Sequence, residues 1–473
     1  MGDGVLTRLE VDGFKNLLGL AVDFGPFTCI AGENGAGKSN VFDAIQFLSL
    51  LSSHSLIEAA HEVRGSGGER SGDPRELFWN GYGSQTRRMR FAAEMIVPRR
   101  VEDDFGREAE ATSTYLRYEL ALGFQPPRGS DKVGRVVLLE ENLRHINLSE
   151  APRRLRFPHS KKEFRDTVLK NRRSGQAFIS TTTQDGQPIV SIHQDGGSRG
   201  QPKPAAASRA PATVVGTVTS SDDPTILAAR REMQSWQRLA LEPTALRTAD
   251  RYTDPQTMGA NGTHLPGTLF RIAQQEPHGD PDRVYARVAG RLTDLAGVSV
   301  DELYVVEDEV RELLTVQLKE ASGLRLPARS LSEGTLRFLA LCVLLEDASV
   351  QGVLCMEEPE NGIHPGNLPA MVDLVRDLAV DPGRTPGEDN PFRQVLVNTH
   401  SPGVVQTVAP ADLLFADTVQ RKSADGELTN ALRLRPIQGT WRAEIPGSVS
   451  VTLPDILPYL TAPSGAQLSL EGM

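Results

Sequence analysis

The sequence predicts an α/β fold built round a phosphate-binding loop, with a mixed sheet, a second antiparallel sheet and a helical insert lobe. Three observations predict it. The stretch Gly32-Glu33-Asn34-Gly35-Ala36-Gly37-Lys38-Ser39 matches the pattern G-x-x-x-x-G-K-[ST] at every fixed position. The apolar run Phe27-Thr28-Cys29-Ile30 precedes it as a buried strand, and residues Val41 to Leu48 follow with apolar positions at helical spacing. Two later apolar runs, Gln351 to Glu360 and Val395 to Pro402, also read as strands ending in polar groups.

The residue types suit the chemistry. Gly32, Gly35 and Gly37 let the backbone bend round a phosphate with no side chain in the way. The amides of Glu33, Asn34, Ala36 and Asn40, with the helix N-terminus, then face the anion. Lys38 is expected to reach the β- and γ-phosphates of ATP, and the Ser39 hydroxyl to ligate Mg²⁺. Strand Gln351 to Glu360 delivers two carboxylates beside that metal: Glu357 to hold it, and Glu358 to orient or deprotonate the attacking water. Two adjacent acids at the end of a buried strand are costly without such a use.

Composition sets the bounds. At 473 residues the chain is long for one domain and holds a large core plus a second lobe. A formal charge of -10 argues against a protein that coats nucleic acid uniformly, while leaving room for a local basic patch. Cys29, Cys342 and Cys355 each lie in an apolar run, which fits buried free thiols in a reducing cytoplasm. No run of about 18 apolar residues occurs, and Met1 to Gly4 does not begin a charged-then-apolar leader, so neither a membrane span nor a signal peptide is expected.

In chain order, Val5 to Phe14 and Leu17 to Phe24 read as an antiparallel pair turning at Lys15 and Asn16. Residues Leu50 to Asp73 read as a helix and then a surface loop. Met89 to Val97, Tyr115 to Phe124 and Val136 to Leu139 alternate as half-buried strands. The basic stretch Arg153 to Arg173 is either a solvated face or a phosphate-backbone contact surface. Asp195 to Asp223, rich in Gly, Pro, Ala and Ser, is expected to be a mobile loop. Helices are expected from Pro224, near Pro266 and over Asp282 to Leu295. Leu303 to Val306 and Leu313 to Leu318 read as strands. Four parts follow: 1–150, the first half of the nucleotide lobe; 151–300, the helical insert; 301–425, the second half; and 426–473, a tail with a frayed end from Thr461.

Leu331-Ser332-Glu333-Gly334-Thr335, ahead of the apolar helix Leu336 to Leu345, resembles the signature motif of ABC-type ATPases, L-S-G-G-Q, departing at Glu333 and Thr335. The variant is similar to that of RecF-like and OLD-like ATPases of the AAA family. Taken alone, without the other motifs, Ser332 reads as a helix cap. The resemblance implies that Ser332 and the Gly334 amide close on the γ-phosphate held by a second subunit. It implies that His400, in Val395 to Pro402, senses the γ-phosphate, and that Gln46 links the metal to the partner lobe, unless Gln46 is merely a polar helix residue. Glu357 stands where the family has Asp. Glu360 to Pro365 resembles the loop crossing the dimer interface, or is an ordinary polar turn.

The resemblance covers residues 1–50 and 325–420. It implies an ATP- and Mg²⁺-dependent hydrolase, homodimeric or higher, cytoplasmic, that dimerises head to tail round ATP to gate DNA or a separate nuclease-like effector in anti-phage defence. The alternatives are a RecF-like repair or chromosome-maintenance ATPase and a nucleotide switch without hydrolysis. Residues Ala409 to Met473 look too short for a nuclease domain, so no nuclease activity is expected of the chain itself.

Overall fold

The computed structural model describes residues 4–63, 73–79, 87–127, 134–171, 176–195, 203–207, 210–296, 300–423 and 426–461. A six-stranded sheet forms its centre, in the order Gln237–Leu239, Gly352–Glu357, Arg393–Thr399, Phe27–Gly32, Leu413–Lys422, Leu428–Pro436. The first five strands run parallel and the sixth returns antiparallel. Parallel strands are covered on both faces and therefore read as continuous apolar runs. Alternate residues go to opposite sides. Ile30, Val353, Cys355 and Leu396 join one core with the loop helix Lys38–Leu51 and the antiparallel sheet. Cys29, Ala31, Leu354, Met356, Val395 and Val397 join the other, against the helices Leu265–Gln274, Pro281–Ala296, Glu333–Glu346 and Leu368–Asp377. All three cysteines are buried and unpaired.

The second sheet has eight antiparallel strands, in the order Lys203–Ala206, Gln187–Ile192, Ile179–Gln184, Arg135–His145, Tyr115–Gln125, Arg88–Ile96, Val5–Asp12, Leu20–Asp23. The expected strands are there, with Arg135–His145 running well beyond Leu139. A smaller sheet pairs Val300–Asp308 with Leu313–Glu320. The helices expected from Pro224 and near Pro266 do begin with proline in the first turn. Leu50 falls within the loop helix, Leu56–Glu62 is a further helix, and the surface-loop expectation at 64–72 lies outside the described residues.

Three segments differ from the sequence reading. Residues 151–300 are mixed rather than helical: Ile179–Gln184 and Gln187–Ile192 form a hairpin that extends the antiparallel sheet. The run Ile-Ser-Thr-Thr-Thr favours a strand, and Asp185-Gly186, with φ of 51° and 74°, supplies the two-residue turn. Within 195–223, read as a loop, Val214–Thr217 is a short helix capped by Thr213, whose Oγ1 accepts from the Gly216 amide at 3.2 Å. Residues 196–202 and 208–209 of that loop lie outside the described residues. Within the tail, Leu428–Pro436 completes the central sheet and Leu453–Thr461 is a helix, whereas the frayed end expected beyond 461 is outside the described residues. In the basic stretch, Arg154 pairs with Glu94, and Arg156 lies 3.5 Å from Asp23, so part of that charge neutralises buried acids.

The short helix at 214–217 has a partner that makes it testable. Glu141 is fully buried and accepts from the Val214 amide at 2.6 Å, the Val215 amide at 2.8 Å and the Tyr118 hydroxyl at 3.1 Å. Burial outweighs these donors and pushes its carboxyl up to about 7. The unfolded chain ionises first, so the stability Glu141 contributes is full below about pH 4.5 and lost as pH rises through about 7. Urea unfolding of the wild type and Glu141→Gln across that window should show the wild type losing ground with pH, by up to ~1.4 kcal/mol per unit. A pH-independent difference would contradict the assignment.

Candidate active site

Strand Phe27–Gly32 is buried throughout and drives the chain into the glycine loop. A side chain at Gly32 would meet the Ala416 carbonyl at 2.2 Å, so the neighbouring strand leaves room only for glycine. Gly35, at φ 80°, has open space beside it, where a phosphate could approach the backbone. Gly37, at φ 99°, caps the loop helix without a side-chain bond, leaving the first helical amides turned to the loop. Asn16, from the first hairpin turn, braces the loop: its Nδ2 donates to the Ala36 carbonyl at 3.1 Å, and Asn40 Nδ2 donates to its Oδ1 at 2.7 Å. Glu33, Asn34, Gly35 and Ser39 are exposed. Lys38 folds back, its Nζ donating to the carbonyls of Gly32 at 2.7 Å and Glu33 at 2.8 Å. Burial lowers its pKa, while Glu358, Glu360 and Glu33 act in the opposite sense.

The parallel register places the acidic strand beside the switch strand, with Glu357 opposite Asn398. Glu358 follows at φ 43°, a left-handed conformation costly for a side-chain-bearing residue. The surroundings hold it there. Its amide donates to Asn398 O at 3.1 Å and Asn398 Oδ1 at 3.2 Å. Its carboxylate accepts from His400 Nδ1 at 2.5 Å and Asn361 Nδ2 at 2.9 Å. Asn398 Nδ2 also donates to Ser39 Oγ at 3.3 Å. One asparagine thus ties the loop serine to the strained acid.

The structure brings Lys38, Ser39, Glu358 and His400 together, while Arg238 joins Glu357 to Gln46 and Asp43. Arg238 Nη2 lies 2.9 Å from Glu357 Oε1, and its Nη1 donates to Asp43 Oδ1 at 2.9 Å and Gln46 Oε1 at 3.5 Å. Ser332 stands apart. It caps the helix Glu333–Glu346, its Oγ accepting from the Thr335 amide at 3.1 Å. Among the described residues no hydrogen bond joins Ser332 or Gly334 to the phosphate loop. Gly334 instead abuts the loop after the acidic strand, where a side chain would meet Gly362 O at 2.9 Å.

Sequence reasoning missed four residues here. Asn16 and Asn398 are short polar residues whose role is set by strands pairing across the sheet. Arg238 lies on a three-residue edge strand with no periodic signal. Glu360 is buried, accepts from Thr399 Oγ1, and has no hydrogen-bond partner for Oε2 among the described residues; burial raises its pKa. The run Glu357-Glu358-Pro359-Glu360 held the one visible hint, a third acid.

A family model described as "AAA domain, putative AbiEii toxin, Type IV TA system" matches residues 224–406, spanning the signature helix, acidic strand and switch strand. A second, described as "AAA domain", matches residues 8–61, spanning the loop. RecF of Parabacteroides distasonis, a DNA replication and repair protein, is 45% identical over 51 residues. Residues 8–61 and 224–406 are thus similar to AAA-type domains, and the chain spans less than a fifth of the length of the curated relatives it matches. The chain is also similar to structural maintenance of chromosomes protein 1 of Schizosaccharomyces pombe, 54% identical over 54 residues, and to RecF of Lactococcus lactis, 37% identical over 65. These matches take in 11%, 11% and 14% of this chain and only 14%, 4% and 18% of the relatives' lengths, in the order RecF of P. distasonis, the S. pombe protein and RecF of L. lactis. Among solved structures, an SMC head bound to the C-terminal winged-helix domain of ScpA is 14% identical, with 91% of this chain and 98% of that chain covered and a TM-score of 0.45. The SMC head domain of Thermotoga maritima is 13% identical, with the same coverage and a TM-score of 0.36. No described helix of the chain is long and apolar enough to cross a membrane.

Gly37 is the sharpest test of the loop. Its φ of 99° and the 2.2 Å approach of Asn16 Nδ2 to an added Cβ mean that Gly37→Ala distorts the anion cradle. Equilibrium binding of a fluorescent ATP analogue should weaken by roughly tenfold or more, on the scale of a lost charge-assisted hydrogen bond.

Proposed function

We propose that the protein hydrolyses ATP, with Glu358 as the group that orients and deprotonates the attacking water. The observation that carries this is the placement of Glu358: a strained residue fastened to Asn398, which also reaches Ser39, with its carboxylate directed by His400 and Asn361. A water beside that carboxylate loses a proton to Glu358 as its oxygen bonds the γ-phosphorus and the bond to ADP breaks. His400, already bonded to Glu358, stabilises the transferred charge. Lys38 exchanges its two loop carbonyls for phosphate oxygens. Ser39, Gln46 and Glu357 are the residues that would hold Mg²⁺. Their donors are oxygens, as that ion prefers, and Glu357 Oε1 is a buried oxygen held by the Arg238 guanidinium at 2.9 Å without hydrogen-bond geometry. When bound, the ion neutralises charge developing on the phosphates.

Ser332 and Gly334 complete the site from a second copy in this reading, with the two ATPases head to tail round two nucleotides. The helix N-terminus that Ser332 caps is the anion-binding element it would contribute. Dimer closure would gate a separate effector in anti-phage defence. The family description naming a toxin of a Type IV TA system supports that reading. The similarity to RecF over 51 residues supports a second, in which closure acts on DNA in repair.

Glu358→Gln keeps the shape and removes the base. Turnover should fall by roughly 100-fold or more while ATP binding persists, and the trapped state should run as a dimer in ATP by light scattering. Unchanged turnover would remove Glu358 from the chemistry. Negligible turnover in the wild type would identify a nucleotide switch.

A further inference from the structure

Arg238 lies opposite Cys355 on an edge strand parallel to the acidic strand, so its side chain reaches the carboxyl end where Glu357 stands. Its guanidinium touches two of the three side chains assigned to the cation: Glu357 Oε1 at 2.9 Å and Gln46 Oε1 at 3.5 Å. It also holds Asp43 Oδ1 at 2.9 Å, one turn along the loop helix from the third, Ser39. Asp43 is paired on its other side with Lys15. The four charged groups Lys15, Asp43, Arg238 and Glu357 therefore balance one another in the half-buried floor of the site.

This balance has a consequence for metal binding. A divalent cation reaching Glu357 alone would meet a guanidinium already in place, at close range and part-shielded from water. Phosphates arriving with the cation would offset that repulsion. Arg238 also has somewhere to go, since Asp43 holds its other arm when Glu357 is given up. We propose that Arg238 is a positioning residue that occupies the cation's place against Glu357 and keeps the site from taking a divalent ion without nucleotide. The proposal rests on the reading of Ser39, Gln46 and Glu357 as cation ligands.

The test is a Mg²⁺ titration of fluorescent-ATP binding to the full chain, for wild type, Arg238→Met, Arg238→Lys and Glu357→Gln, with a parallel calorimetric titration of Mg²⁺ into protein without nucleotide. Arg238→Met keeps the apolar stem and frees Glu357. It should lower the Mg²⁺ needed for half-maximal binding by roughly three- to tenfold, the scale of one part-buried ion pair, and leave affinity in EDTA unchanged. Direct Mg²⁺ binding should appear in this variant and not in the wild type. Arg238→Lys, which keeps the charge without the fork, should shift in the same direction by less and carries the test if the Met variant does not fold. Glu357→Gln should raise the Mg²⁺ requirement. If it does so while both Arg238 variants match the wild type or need more Mg²⁺, the role given to Arg238 is wrong and the cation site stands. If Mg²⁺ requirement is indifferent to Glu357→Gln, the cation site itself is wrong and the inference falls with it.

Discussion

The site depends on parallel pairing of three strands that end at one edge of the central sheet. Phe27–Gly32 leads into the loop, Gly352–Glu357 into the acids and Arg393–Thr399 into His400. Parallel strands deliver their carboxyl ends together, which is why crevices at that edge collect functional groups in open α/β sheets. The strands stay in register because both faces are covered. A slip of one residue would exchange Cys29, Ala31 and Leu354 with Ile30 and Val353 between two separate cores. Apolar packing far from the chemistry thereby sets the position of Glu358 against Asn398.

At the site itself, charges are held by partners within the protein. Lys38 rests on two carbonyls, Glu357 on Arg238, and Glu358 on His400 and Asn361. Each of these contacts satisfies a group that burial would otherwise penalise. The backbone strain at Glu358 is tolerable because two acceptors on Asn398 hold its amide. Glu360 Oε2 is buried with no hydrogen-bond partner among the described residues.

The motifs were legible in the sequence because their chemistry demands particular residues at fixed spacing. A backbone that wraps a phosphate needs glycines at 32, 35 and 37, and a buried strand that ends in two acids stands out against its apolar run. The nucleotide lobe could be read for the same reason, since parallel strands covered on both faces are continuously apolar. The hairpin at 179–192 was hidden by its polar residues. Thr181, Thr182, Thr183 and Gln184 carry little hydrophobic pattern, and only the turn at Asp185-Gly186 marks them.

What the sequence by itself determined, then, is the loop, the acids, the histidine and the strands that carry them, each written in local residue order. Only the tertiary structure decided which groups meet. Asn398 reaches Ser39 across 359 positions and Arg238 reaches Asp43 across 195, distances in sequence over which no periodicity or spacing rule operates. It likewise decided that the end of the chain supplies the sixth strand of the sheet and that Glu141 caps a helix formed from a polar, glycine-rich stretch. The physical reason is common to all of these. Local order is set by backbone sterics and patterning, while contacts between distant polar groups are set by how whole layers pack.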